Sequence, residues 1–375
     1  MSGRIILLGA TGYTGRLTAQ ALTLAGAAPV LAGRSPDRLV GLVADLAPLA
    51  PMAAPPTWQE ADVTDPASVR ALLRSPEDVL VTTVGPFSEL GGPALAAAVD
   101  AGCGYVDSTG EPAFIRQVFE GADAQARRTG ARLLTACGYD YLPGNLAAGL
   151  AVRDAVAAGQ LPYRVDVGYF VRGGMAMSSG TRASVVGMLG QRPYAYRRGS
   201  VGTVRDGVGH FTVGGKDLAG IPIGSSEHFT VPRMASGVHE VGVYLGWAGK
   251  LTGIAHAGVS AAGALARLPL AGRALTAGAR RLAPTTTGEG PDASARSGSR
   301  SIATARVTDA VGQVITQATV EGPTPYELTA ELLAWCAAML LTGQASSAGA
   351  LGPVDAFGLD ALEAGCAGMG LVRIA

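Results

Sequence analysis

The chain has 375 residues, 48% of them hydrophobic and 15% charged, and a formal net charge of zero. That balance supplies a large core and excludes both a disordered chain and a basic nucleic-acid-binding surface. The length suits two domains.

The first third alternates short apolar runs with helical patterns. "RIILLGA" reads as a buried strand that begins at Arg4, and "GRLTAQALTLAG" as a helix ending at Gly26. A strand starting this early leaves no room for a signal peptide. Further strands follow in "PVLAGR", "TWQEADV", "DVLVTTVG", "GYVDST" and "RLLTACG", separated by helical stretches such as "DRLVGLVADL" and "PAFIRQVFEGADAQARRTG". Strand and helix alternating without hairpin turns means parallel pairing through crossovers. The expectation is α/β: a Rossmann-type doubly wound parallel sheet, plus a second α+β domain with a mostly antiparallel or mixed sheet.

The pattern changes after the helix "LPGNLAAGLAVRDAVAAG". "YRVDVGYFV", "VGHFTVGG", "HEVGVYLGW", "IATARVTDAVG" and "VITQATVEG" alternate like strands, with a hairpin turn in "TDAVGQ". The polar stretch Ala283–Ser301 reads as a loop. "PYELTAELLAWCAAMLL" is a helix begun by Pro325, expected to pack back on the first domain. The domains are therefore expected at 1–145, completed by 324–375, and at 146–323.

"GATGYTG" sets Gly9, Gly12 and Gly15 between an apolar strand and an amphipathic helix. Gly9 permits the tight turn, Gly12 lets backbone approach a pyrophosphate, and Gly15 lets the helix pack closely. The free N–H groups of the helix end then face phosphate. Strand two ends in "LAGRS" with no acid to hold the ribose hydroxyls of NAD, whereas Arg34 and Ser35 suit a 2′-phosphate. NADPH is the expected cofactor. Thr11, Tyr13 and Thr14 belong to the same turn. Val84, Gly85, Pro86 and Phe87 end strand four, where a ribose and nicotinamide would run. Asp62, ending strand three, either faces the adenine or caps the next helix.

For catalysis the sequence has no Tyr-x-x-x-Lys, no Gly-x-Ser-x-Gly and no His-Glu-x-x-His. Its only lysines are Lys216 and Lys250, both in the second domain. The cysteines Cys103, Cys137, Cys336 and Cys366 are scattered without metal-ligand spacing, which fits a reducing, cytoplasmic setting. No metal site is expected. His210, His228, His239 and His256 stand alone and read as structural. Polar clusters sit instead after strand five ("YVDSTGEPAF") and strand six ("CGYDYLPGN"). Ligands of open parallel sheets bind at carboxyl strand ends. Ser108, Tyr139 and Tyr141 are thus offered as proton or hydrogen-bond donors. Glu111, Asp140 and Asn145 fit helix capping as well as chemistry. Leu251–Ala266 carries no Asp, Glu, Lys or Arg and falls short of the ~20 residues of a membrane span. It suits a buried or dimer-facing helix, or a surface helix touching lipid, so the 251–281 segment is open to peripheral membrane contact.

Taken in order, "GATGYTG", "LAGRS", "TTVGPF", "YVDSTGEPAF" and "CGYDYLPGN" resemble the saccharopine dehydrogenase-like NADP-binding family, closest to its trans-acting enoyl reductase branch. "SGTRAS" near Ser179, "GPTPYELTAELLA" and "PVDAFG" extend the resemblance over most of the chain, Lys250–Ser301 excepted. It implies NADPH-dependent reduction, in some members of a C=C bond in a polyketide or fatty-acyl intermediate. By motif, Gly9, Thr11, Gly12, Tyr13, Gly15, Arg34, Gly85 and Pro86 carry over as cofactor contacts. The substrate implied is a small molecule or an acyl thioester, free or on a carrier protein. A homodimer is expected. C=N reduction, as the saccharopine name suggests, stays open beside C=C reduction. So do a non-catalytic NADPH-binding role and a lipid-associated one.

Overall fold

The computed structural model describes residues 3–49, 51, 54–173, 177–179, 181–182, 192–246 and 290–375. Leu251–Ala266, the wider 251–281 segment and Lys250 lie outside them. The chain divides into two compact units.

The first unit, Met1–Leu142 with Pro325–Met369, opens with β1 (Ile5–Leu8), α1 (Tyr13–Leu24), β2 (Val30–Gly33), α2 (Pro36–Leu46) and β3 (Thr57–Glu60). Then come α3 (Pro66–Arg70), β4 (Val79–Thr82), α4 (Phe87–Ala101), β5 (Gly104–Asp107), α5 (Pro112–Arg116), α6 (Asp123–Thr129) and β6 (Arg132–Leu134). β1, β2, β4 and β5 are buried throughout, as strands covered on both faces must be. That is why β1 and β2 read as unbroken apolar runs. β3, at the sheet edge, is largely exposed.

The second unit, Pro143–Thr324 with Gly370–Ala375, opens with α7 (Leu142–Ala157, begun one residue earlier). β7 (Arg164–Arg172), β8 (Tyr194–Arg197), β9 (Ser200–Thr203), β10 (Gly209–Val213) and β11 (Lys216–Pro222) follow. After α8 (Glu227–Thr230) come β12 (Glu240–Leu245), α9 (Ala293–Ser297), β13 (Arg300–Thr308) and β14 (Val314–Gly322). Among the described residues β7 pairs parallel with β12 and antiparallel with β13, and β13–β14 is an antiparallel hairpin closed across Asp309 and Gln313. The sheet is therefore mixed. Phe170, Phe211, Val213, Tyr244 and Ile302 form a hydrophobic cluster within it. The loop expected over Ala283–Ser301 is shorter at its end. Asp292 Oδ1 accepts from Ala295 N at 2.8 Å and starts α9, and β13 begins at Arg300.

The chain then returns to the first unit. α10 (Pro325–Leu341) packs on α1, β4 and β5. β15 (Gly349–Ala350) adds a seventh parallel strand beside β6, giving the order β15-β6-β5-β4-β1-β2-β3. Two residues are too short a run to carry periodicity, so sequence reading stops at six strands. After α11 (Pro353–Phe357) and α12 (Leu359–Gly368), β16 (Val372–Arg373) pairs with β14, so residues 370–375 join the second unit. No helix among the described residues is long and apolar enough to cross a membrane.

Candidate functional site

Order 3-2-1-4-5-6 reverses direction between β1 and β4, and in such sheets ligands bind beyond the carboxyl ends at that point. The glycine turn leaves β1 there. Gly9 has φ +86°, a left-handed conformation that glycine adopts without penalty. A Cβ on it would fall 2.7 Å from Val84 Cγ2. One on Gly15 would strike the Gly9 carbonyl, so Gly15 is what lets α1 close on the turn. Gly12 N donates to Gly9 O at 3.0 Å, and Thr83 Oγ1 donates to the same oxygen at 3.3 Å. Gly12 is the N-cap of α1, with no side-chain cap and no acid in the first turn. The positive end of a twelve-residue helix is thus left to an anion. Tyr13 packs edge-on against Tyr326 of α10, ring centroids 5.0 Å apart, which fixes the turn from the other side.

At the end of β2, Gly33 is buried, Arg34 is exposed and Ser35 is the N-cap residue of α2 without a side-chain cap bond. Two further arginines converge here that sequence reading missed. Arg38 Nη2 donates to Thr11 O at 2.9 Å and Arg16 Nε to the same oxygen at 3.4 Å. Asp62 does not cap α3. Its Oδ1 accepts from Thr64 N and Thr64 Oγ1 at 2.9 and 2.8 Å, and Asp65 Oδ1 is the cap, accepting from Ala67 N at 3.0 Å. Those bonds to Thr64, with Arg34 nearby, hold the Asp62 carboxyl below its ordinary range.

The β4 end is built differently. Gly85–Pro86 is a cis peptide, and Thr83, Val84, Gly85 and Pro86 are partly exposed. Phe87 is buried against Phe114. Glu111 supplies the anion that α4 needs: its carboxylate accepts from Phe87 N at 2.8 Å and Ser88 N at 2.9 Å. The N-termini of α1 and α4 therefore differ. One is filled by the protein's own carboxylate, the other is not.

At β5 and β6, Asp107 is a buried clamp. Oδ1 accepts from Thr109 N and Ala136 N, both at 2.9 Å, and Oδ2 from Thr135 Oγ1 at 2.8 Å. Burial raises it to about 6 against the pull of these bonds. Of the three expected donors, Ser108 is partly exposed, whereas Tyr139 and Tyr141 are only 2% and 0% exposed. Tyr141 Oη donates to Gly110 O at 3.3 Å, and Tyr139 N to Thr329 Oγ1 at 3.0 Å. Asp140 is partly exposed beside Gly110.

The second unit holds a buried polar cluster that sequence reading passed over. Gly144 N donates to Tyr169 Oη at 2.8 Å, and Tyr169 Oη donates to Glu227 Oε1. Ser226 Oγ donates to Glu227 Oε2 at 3.2 Å and accepts from Asn145 Nδ2 at 3.2 Å, while Thr230 Oγ1 donates to Asn145 Oδ1. Asn145 thus ties α7 to α8 instead of capping its own helix. Burial lifts Glu227 to about 7, and lowers neighbouring His228 to about 4. Among the described residues no group of three His, Cys, Asp or Glu could hold a metal ion.

Comparison with protein-family profiles finds no match. A Mycobacterium tuberculosis protein named as a candidate trans-acting enoyl reductase is 39% identical over 191 residues, 49% of this chain and 44% of its own length. The trans-acting enoyl reductase of Mycobacterium ulcerans is 41% identical over 146 residues, 38% of this chain and 34% of its own. The chain thus spans less than half the length of these relatives. Apo saccharopine dehydrogenase (L-Glu forming) from Saccharomyces cerevisiae shares the fold over 100% of both chains, with a TM-score of 0.58 at 14% identity. Both parts of the resemblance seen in the motifs are met: sequence kinship with trans-acting enoyl reductases and a saccharopine dehydrogenase-like fold.

Proposed function

We propose that this chain is an NADPH-dependent reductase of an activated C=C bond, acting on an enoyl thioester of polyketide or fatty-acyl type. The observation that carries the cofactor half is the α1 N-terminus, which has no cap side chain and no acid while Glu111 fills α4. Gly9 and Gly15 let β4 and α1 close tightly on the turn, the geometry a diphosphate-binding turn needs. The residues present therefore fit a dinucleotide. Arg34, Ser35 and Arg38 suit a 2′-phosphate, and strand two ends at Gly33 with Arg34 where an acid would hold ribose hydroxyls. The acceptor half rests on the kinship with proteins named enoyl reductases.

A bound reduced nicotinamide supplies a hydride. Every other demand falls on the chain. Hydride addition at the β-carbon of an enoyl thioester leaves negative charge on the thioester oxygen, and a proton at the α-carbon completes the reduction. Ser108, partly exposed at the end of β5, is our donor to that oxygen. Tyr139 and Tyr141 shape the turn beside it, the phenol of Tyr141 being engaged by Gly110 O. The test is NADPH consumption against 2-enoyl thioesters, with the product weighed by mass spectrometry. The reading expects a saturated thioester two hydrogens heavier. NADPH binding without consumption across enoyl thioesters, enones and cyclic imines would leave a non-catalytic binding protein.

A further inference from the structure

Glu227, Ser226, Tyr169, Asn145 and Thr230 are all buried, with Glu227 and Tyr169 at 0% exposure. Proteins rarely bury a carboxyl away from cations unless it holds something in place. Here the object held is identifiable. Tyr169, projecting from β7, takes the Gly144 N–H on one side of its oxygen and gives its own proton to Glu227 on the other. Gly144 lies in the first turn of α7, where backbone N–H groups have no partner within the helix. A Cβ at position 144 would fall 2.5 Å from Glu227 Oε1 and strike Tyr169 Oη, so the dyad presses directly on the helix start. Asn145, the next residue, is tied to the same cluster through Ser226 and Thr230.

We propose that Glu227 is a positioning residue: through the Tyr169 hydroxyl it holds the Gly144 N–H, and with it the first turn of α7. The inference rests on the reductase reading only in linking that turn to catalysis. The carboxylate form accepts a stronger bond from Tyr169 than the acid form, and a phenol that gives more strongly also accepts more strongly. The anchor therefore tightens as Glu227 ionises, at about pH 7. Among the described residues the groups facing the carboxyl are Tyr169 of β7, Ser225 and Ser226 on its own turn and, one bond further, Asn145 of α7. His228 follows on α8, buried and neutral above about pH 4. None of these groups is a cation near neutrality, and Glu227 is the one among them that titrates there.

The experiment has two arms. Carbonyl-labelled proline with nitrogen-labelled glycine marks the one Pro–Gly pair of the chain, Pro143–Gly144, in the intact protein. The Gly144 amide proton should move downfield as pH rises through about 7 in the wild type and stay still in Glu227→Gln. Tyr169→Phe, a milder change, should abolish the same movement. In the second arm, kcat/KM for the enoyl thioester should rise through the same midpoint, and Glu227→Gln should flatten that limb. A Gly144 amide that stays still in the wild type, or moves equally in both variants, overturns the proposal. Absence of any reduction with an intact amide titration sinks the reductase reading and leaves the anchor standing.

Discussion

On the proposed NADPH reading, cofactor choice turns on Arg34 and Arg38. Both lie at the mouth of the glycine turn, Arg34 exposed and Arg38 on the Thr11 carbonyl. A charge-assisted bond to phosphate is worth about 1.5–3 kcal/mol, a factor of roughly 10–100. Arg34→Ala should therefore lower kcat/KM for NADPH by about that factor and leave NADH nearly untouched. Arg38→Ala should act in the same direction and also loosen Thr11. Steady-state kinetics with both cofactors checks this, and an unchanged NADPH-to-NADH ratio in Arg34→Ala would contradict it. Arg34 was legible because the acid expected at a strand-two end is missing. Arg38 was not, because its bond to Thr11 joins positions 27 apart. The fate of Glu111 was hidden for the same reason. Next to "PAF" it reads as a cap of its own helix, whereas it serves Phe87 and Ser88 on α4.

Two helix ends with opposite electrostatics organise the first unit. α1 points an unfilled N-terminus at the site, and α4 has its own carboxylate. Glu111→Ala should cost about 1–2 kcal/mol of stability, since two N–H groups lose a charged acceptor. Cofactor affinity should stay near wild type in that variant, because α1 is untouched. Thermal melts with and without NADPH read both quantities, and a loss of NADPH-induced stabilisation would show that Glu111 sets the Val84–Phe87 turn for the cofactor. Elements with clear periodicity were readable: β1, β2, β4 and β5 are short apolar runs between helical patterns. β15 was not, because Gly349–Ala350 forms a strand only by lying beside β6. β8, β9 and β11 escaped because strands near an edge carry weak alternation.

The molecule as a whole carries buried titratable groups of opposing effect. Glu227 and Asp107 have raised values, so each contributes stability below its ordinary value that is lost as pH rises. For Glu227 that window runs from about 4.5 to about 7. His228 is depressed, so its contribution is present above about 6.5 and is lost as pH falls towards 4. Glu227→Gln should therefore gain on the wild type between pH 5 and pH 7, by an amount on the order of 2–3 kcal/mol at full ionisation. Denaturant melts across that range check it, and a difference that does not vary with pH would contradict it. The sequence puts a boundary after residue 145, from the change of pattern that follows "LPGNLAAGLAVRDAVAAG", whereas the contacts divide the chain between Leu142 and Pro143. The six residues that cross back, 370–375, were not legible, since β16 is set by pairing with β14. The Glu227 cluster was missed because buried polar residues in "GSSEHFT" look like a surface turn until Tyr169 and Asn145 are brought against them. In the proposed reaction a hydride leaves NADPH for the β-carbon of an enoyl thioester. Deuterium at the transferable position of the nicotinamide tests it most directly. One deuterium at the β-carbon of a saturated product is expected, and its absence from any product while NADPH still binds would contradict hydride transfer to that carbon.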